Sequence, residues 1–225
     1  MANIPKPLDK DIFLPGKIVS LCHPNIEEDI VKGEWHTWFN NYRITELLEH
    51  GLSPLSAEEE ANIVVSEMHK KSSLIFTIIS NINSSLIGVI SLKHINHIQR
   101  RAEIGLVTSE KRTKGAALES MALLTSHAFD RLNLQKLYAG LHEGLWKWIN
   151  TLNLIGYKIE GIRRSQGYRN GNSYDVVLTG ITSNDFYSLR EQRNGDILNG
   201  DVVKLMINRS SINMVEKVKF LLQQL

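Results

Sequence analysis

The sequence predicts an α/β fold, a mixed sheet of about seven strands flanked by helices, followed by a C-terminal extension. Three observations carry this. Hydrophobic spacing switches between a period near 3.6 and a period of 2 along the chain. Some of the resulting strands are separated by helices while others follow directly, which argues for both parallel and antiparallel pairs. The 225 residues, 42% hydrophobic and 22% charged, suffice to bury a core without staples and are too apolar for extended disorder.

The elements follow in order. Lys17 to Leu21 reads as a short strand after the Pro15-Gly16 breaker. Ile26 to His50 is helical in pattern, with Ile30, Trp35, Trp38 and Leu47 apolar among charges and Gly51 as a stop. Ser56 and Glu59 form a capping box that opens a helix to about Lys70. Leu74–Ser80, Leu86–Ile95 and Ala102–Val107 read as a meander of antiparallel strands, the first two joined by the polar turn Asn81–Ser84. Gly115–Leu132 is a helix with Ala117, Met121, Leu124 and Ala128 on one face. A strand over Lys136–Leu141 and a helix over Gly144–Leu154 follow. The last two strands, Tyr157–Ile162 and Tyr174–Ile181, flank Asn170-Gly171, a strong hairpin signal. These elements place a domain over residues 1–193 and an extension over 194–225. In the extension Met214, Val218, Leu221, Leu222 and Leu225 recur at helical spacing. Such a stripe needs cover, and a twofold homodimer is favoured over capping of the chain's own first helices.

Composition narrows the function. Lys plus Arg is 26 against 24 for Asp plus Glu, a net charge of +2 that gives no general attraction to nucleic acid or acidic membranes. The single cysteine, Cys22, excludes an internal disulfide and any zinc site built on several cysteines, and no ligand spacing supports another metal. Met1 to Asp11 is polar, and the most apolar run, Leu74 to Ile79, is far too short for a membrane helix. A soluble, cytoplasmic protein is expected.

The most informative segment is Val107–Ala117. A strand ends, a basic loop follows, and a helix opens with Gly115-Ala116-Ala117. Amides at such a helix start point outward, the dipole favours an anion there, and small residues let it approach closely. Lys111, Arg112 and Lys114 add positive charge. Arg112-x-x-Gly115-x-Ala117 matches the Gln/Arg-x-x-Gly-x-Gly/Ala signature of the GNAT superfamily of acyl-CoA-dependent N-acetyltransferases, and the order of elements from about residue 16 to 190 resembles that superfamily's. The resemblance implies a GNAT-like sheet with acetyl-CoA as co-substrate, lying in a splay between the third meander strand and Lys136–Leu141. Leu106 and Val107 would pair through their main chain with the pantetheine arm. The loop Arg112, Thr113, Lys114, Gly115, Ala116 and Ala117 would hold the pyrophosphate. Many members carry Asn early in the helix after the fifth strand and a Tyr proton donor seven positions later. Leu145 and Leu152 stand there in this chain.

Acetyl transfer to an amine requires a destination for the amine proton. Glu103 is the leading base, since Arg101–Gly105 resembles a segment of the histone-acetyltransferase branch with a glutamate at the matching position; the alternative is that it pairs with Arg100, Arg101 or Arg164. His94 and His97, around the end of the second meander strand, and His142, ending Lys136–His142, are further candidates. Cys22 offers no nucleophile–histidine pairing, so direct attack in a ternary complex is expected.

Trp35-x-x-Trp38-Phe39-Asn40-Asn41 resembles the Trp-x-x-Trp-x-Asn-Asp stretch of transferases that act on nucleotide-linked amino sugars. Ser173–Val177 resembles a late strand shared with them and with ribosomal-protein N-terminal acetyltransferases. Trp35, Trp38, Asn40, Asn41 and Arg164 are therefore candidate acceptor residues, the tryptophans as stacking faces near the cleft together with Trp146 and Trp148, Arg164 beside Arg163 and Arg169 as a diphosphate contact. The implied activity is acetylation of a primary amine on a nucleotide sugar, with a protein N-terminus as the second acceptor and a non-catalytic acyl-CoA-binding module as the reading from another class.

Overall fold

The structure, a computed structural model, describes residues 11–48, 51, 53–199, 201–207 and 210–224. Eight strands form one sheet in the order β1-β2-β3-β4-β5-β6-β8-β7: β1 (Ile12–Pro15), β2 (Val19–Cys22), β3 (Leu74–Ser80), β4 (Leu86–Asn96), β5 (Arg101–Thr108), β6 (Lys136–His142), β7 (Lys158–Arg169) and β8 (Asn172–Thr182). Seven are the expected ones. The eighth, β1, pairs antiparallel with β2 at the sheet edge, where Pro15 costs no central ladder bond. Every neighbouring pair is antiparallel except β5 and β6, which run parallel.

The capping box at Ser56 forms as expected: Ser56 N–H donates to Glu59 Oε2 at 2.8 Å and the Glu59 amide to Ser56 Oγ at 3.2 Å, opening α3 (Ala57–Met68). Asn170 (φ 51°) and Gly171 (φ 80°) turn the β7–β8 hairpin, both left-handed as a type I′ turn requires. The hairpin arms outrun their apolar residues: exposed Arg164, Ser165 and Gln166 bulge out between the pairs Arg163↔Val176 and Gly167↔Tyr174, one of two irregularities in register.

The helix expected over 26–50 is instead a π-helical turn (Ile26–Val31), α1 (Trp35–Phe39) and α2 (Tyr42–Thr45), with residues 49 and 50 outside the described set. Gly33 breaks the first piece, packed so closely that a Cβ would lie 2.3 Å from the Asp29 carbonyl oxygen. Asn41 ends the second by capping α2, its Oδ1 accepting the Arg43 amide at 3.0 Å. An unforeseen helix, α6 (Ser183–Gln192), starts at a second capping box, Thr182 with Asp185.

Helices cover both faces of the sheet. On one, α4 (Ala116–Asp130) packs Leu118, Met121, Leu124 and Ala128 onto Val19, Ile78, Ile90, Leu92 and Ile104 in the main core. On the other, Ile30, Trp35, Trp38, Ala61 and Val64 close over Val89. The chain beyond Asn194, expected as an appendage, adds Ile197 and Leu198 to the main core. It continues as α7 (Val202–Ile207) and α8 (Met214–Leu222). Helix α8 turns Val215 onto Ile149 of α5 (Trp146–Asn153) and Val177 of β8. The buried face is therefore centred on Val215, not on the stripe read from the sequence: Met214, Leu221 and Leu222 are exposed, and Leu225 lies outside the described residues. It packs on α5, β7 and β8 of the domain rather than on its first helices. No helix among the described residues is long and apolar enough to cross a membrane.

Candidate functional site

Parallel pairing of β5 with β6 covers only Arg101↔Lys136, Ala102↔Leu137 and Glu103↔Tyr138. Beyond that point β5 stays bound to β4 as far as Thr108↔Gly88, and β6 to β8 as far as His142↔Val176, so the two strands splay apart. The edge of β5 from Ile104 to Thr108 is thereby left with amides and carbonyls that an extended ligand arm can pair with. A cavity of about 330 Å³ opens at the splay. Leu106, Val107, Met121, Leu141, Leu145, Trp148 and Leu152 give it an apolar wall, and Trp35, Glu60, Glu67, Lys93, Glu103, His142 and Tyr174 supply its polar and aromatic groups.

At the end of β5 the loop Ser109–Lys114 leads to Gly115, which takes φ 89° at the start of α4 with no side-chain cap. A left-handed residue is needed there, which glycine adopts without strain. The Ala116 amide turns back to the Thr113 carbonyl at 3.1 Å, and no residue of α4 can satisfy the amides that follow in its first turn. Ala116 is fully buried. Lys111 is drawn to Glu34 at 2.7 Å, Arg112 donates to the Ser109 carbonyl at 3.3 Å, and Ser109 Oγ is buried without a hydrogen-bond partner among the described residues. The cradle read from Arg112, Thr113, Lys114, Gly115, Ala116 and Ala117 thus has the oriented amides and small residues that a pyrophosphate needs.

Glu103 reaches the cavity and is held from behind by His94, whose Nδ1 lies 3.0 Å from Oε2. His94 takes φ 52° where the β4–β5 register slips, and this kink aims it at Glu103. Of the alternative arginine partners, Arg100 donates from Nε to the Asn133 carbonyl at 2.7 Å, and no ion pair joins Glu103 to Arg101 or Arg164 among the described residues. His97 sits in the exposed turn beyond β4.

His142 lines the cavity too, with a different capacity. Its Nδ1 accepts the Gly144 amide at 2.9 Å, so the neutral ring carries its proton on Nε2. Burial lowers its pKa, which holds that neutral form. Tyr174 stacks on it with ring centroids 4.3 Å apart. His142, expected as a candidate base, thus has Nδ1 occupied by the Gly144 amide. Leu145 and Leu152 line the cavity where a tyrosine donor was sought; Tyr174 of β8 adds an aromatic ring to the wall, its phenol end lying over Gly167. Tyr157 is spoken for, fully buried with its hydroxyl 2.8 Å from Thr125 Oγ1.

The expected acceptor residues divide. Trp35 is in the wall, Nε1 donating to Glu60 Oε1 at 2.9 Å. Trp38 is 3% exposed and packs in the core rather than on the cavity. Asn40 clasps the loop before α3, its amide bonded to both the carbonyl and the N–H of Leu55 at 2.7 and 2.9 Å. Asn41 caps α2, as above, and Arg164 is exposed away from the cavity lining. Sequence reasoning missed Glu60, Glu67, Lys93 and Tyr174. Glu60, Val64 and Glu67 recur at helical spacing on one face of α3, and carboxylates on a core-facing stripe were the available signal. Desolvation raises the pKa of Glu60 against the Trp35 bond. The Lys70 bond lowers that of Glu67. No group of three or more His, Cys, Asp or Glu that could hold a metal ion exists among the described residues.

Known proteins place this geometry. Spermidine N(1)-acetyltransferase of Escherichia coli K12 is 32% identical over 91 residues, 40% of this chain and 49% of that protein. The chain thus spans about half the length of the curated spermidine acetyltransferases it matches. In fold it resembles the crystal structure of spermidine N-acetyltransferase from Vibrio cholerae in complex with CoA and spermine (TM-score 0.62, 24% identity, 68% of this chain and 89% of that one). A GCN5-related N-acetyltransferase from Brucella melitensis is similar in the same way (TM-score 0.66, 20% identity, 83% and 85%). A model of the acetyltransferase (GNAT) domain matches residues 25–157. Because that match runs from the first helices through β5, the glycine-led start of α4 and β6, the chain belongs to the GNAT acetyltransferase family.

Proposed function

We propose that the protein is an acetyl-CoA-dependent N-acetyltransferase whose acceptor is a small molecule bearing a primary amine and at least one further positive charge. One observation carries the acceptor class: the acidic and basic residues on the cavity wall are three glutamates, Glu60, Glu103 and the Lys70-paired Glu67, against one lysine, Lys93, and the neutral His142. A cationic amine is attracted to that wall, whereas a nucleotide diphosphate brings two negative charges to it. Linear polyamines, for which the Escherichia coli and Vibrio cholerae relatives are named, have the required charge. The nucleotide-linked amino sugar keeps Trp35 as a wall, while Trp38, Asn40, Asn41 and Arg164 lend it no contact.

The co-substrate supplies an acetyl thioester: its C–S bond breaks as a C–N bond to the amine forms, the amine loses a proton and the thiolate gains one. The chain's own groups orient and neutralise. Leu106 and Val107 offer main-chain groups along the splayed edge, and the amides from Gly115 to Ala117, with Arg112, Thr113 and Lys114, hold the pyrophosphate. Glu103 accepts the proton of the ammonium form, and His94, exposed behind it, passes that proton to solvent. His142 Nε2–H is the donor assigned to the cavity, and the Tyr174 ring steadies it by stacking while its own hydroxyl lies over Gly167. Thiol release from acetyl-CoA against a panel of monoamines, diamines, polyamines, nucleotide-linked amino sugars and peptides tests the reading. The expected result is the highest kcat/KM for acceptors with two or more amines; preference for a nucleotide sugar or a peptide N-terminus would overturn it.

A further inference from the structure

The last helix ends beside the residues that follow the stacked pair His142 and Tyr174. Lys219 of α8 bonds at once to Glu143 Oε2 and, at 2.8 Å, to Asp175 Oδ2. Glu143 follows His142 directly, and Asp175 follows Tyr174. The Glu143 carboxylate also accepts the Asp175 amide at 2.8 Å through Oε1, and Asp175 Oδ1 accepts the Ser165 amide at 2.8 Å from the adjacent strand. Alternate residues of a strand face opposite sides, so Tyr174 meets the cavity while Asp175 turns away toward α8. Without the ammonium, two carboxylates that are only 28% and 20% exposed would face each other across the β6–β8 junction. That repulsion acts on the backbone immediately next to both stacked rings.

The helix is itself held for this contact. Asn150 of α5 donates to the carbonyls of Ser210 and Ile212 at 3.2 and 2.6 Å, Asn213 caps α8, and Val215 is 1% exposed. Helix α8 and the segment from Ser210 to Asn213 lie beyond the family match that ends at residue 157; Asn150, which holds that segment, lies within it. We infer that Lys219 is a positioning residue for the His142–Tyr174 pair, so that the C-terminal helix completes the acyl-transfer site rather than decorating the domain. The inference rests on the transferase reading for its consequence in turnover, but not for its geometry. Two shifts accord with it: the Lys219 bond, ahead of the Ser165 amide, lowers the Asp175 pKa, and although burial works against the Lys219 charge, its bonds to Asp175 and Glu143 raise its pKa overall.

The test uses the full chain and two readouts on Lys219→Met, Lys219→Arg and the double variant Lys219→Met/Asp175→Asn. Imidazole nitrogen NMR, with His142 assigned by its loss in His142→Gln, should show a single Nε2–H tautomer in the wild type. In Lys219→Met the His142 signals should shift toward a mixed tautomer and lose the Tyr174 ring-current effect, and Lys219→Arg should restore them. The double variant, which removes the facing charge as well, should recover part of the wild-type signal and serves if Lys219→Met alone does not fold. In turnover, kcat should fall roughly tenfold in Lys219→Met with KM for acetyl-CoA unmoved, as displacement of a donor within a bound site predicts. Unchanged His142 signals in a folded Lys219→Met overturn the inference, as do fully wild-type signals in the double variant where Lys219→Met does not fold. Wild-type protein that acetylates no amine overturns the transferase reading instead, and the NMR result still decides on Lys219.

Discussion

The carboxylate of Glu119, buried in the first turns of α4, accepts the Ile18 amide at 2.7 Å. It also takes the Lys17 amide at 2.9 Å and the Val19 amide at 2.8 Å, so one side chain anchors the start of β2 to the helix proposed to carry the phosphate cradle. A negative charge near a helix start would compete with a bound phosphate if left facing it; here three amides of another element absorb it.

Glu119→Ala should therefore destabilise the protein by roughly 3–5 kcal/mol, since it strands several amides in a buried place and opens a cavity. Urea unfolding measures the loss. A change below about 1 kcal/mol would mean water replaces the carboxylate at no penalty.

How far the sequence leads depends on whether a signal is local. The Ser56–Glu59 box, the Asn170-Gly171 turn and the helix start at Gly115 each act within a few residues, and each forms as read. The helix expected from Ile26 failed because apolar spacing continued through Gly33 and Asn40-Asn41, whose close packing and side-chain bonds cut it into three. Thr182-x-x-Asp185 was as local as the first box but used aspartate, and α6 went unread. The site was half legible. Glu103 could be placed on its strand, but its partner His94 depends on a kink that no spacing announces, and Lys219 meets Glu143 only because α8 folds back across 76 residues.

Gly115→Asp should abolish measurable acetyl-CoA binding. The new side chain would sit at φ 89° and bring a negative charge to the cradle of amides. Calorimetry on the folded variant reads this directly, and an affinity equal to wild type would remove the basis for placing the pyrophosphate at α4.

Glu103→Gln keeps the size and removes the proton acceptor, so kcat should fall by roughly a hundredfold or more with coenzyme affinity intact. His94→Asn should cost less, because the imidazole touches the carboxylate and solvent rather than the cavity. Were the two variants equally impaired, the pair would have to act as one unit; were Glu103→Gln nearly active, the proton would leave by water.

The acceptor class can be tested through Glu60, whose carboxyl is driven up by desolvation against the opposing bond from Trp35. A carboxylate with a raised folded pKa favours the fold on the acid side, and that contribution is lost as pH rises through the raised value. Its binding role has the opposite sign. Below the raised pKa Glu60 is neutral and offers a diamine only a hydrogen bond; above it, the residue is charged. KM for a diamine should therefore climb as pH falls through a value above the ordinary glutamate range, and the climb should vanish in Glu60→Gln. At neutral pH the same variant should raise KM for diamines roughly tenfold, the loss of one charge-assisted contact, while leaving KM for a monoamine nearly unchanged. Equal effects on both acceptors would place Glu60 in the support of Trp35 alone, and the second charge of the substrate would then have to be met by Glu67, where Glu67→Gln repeats the measurement.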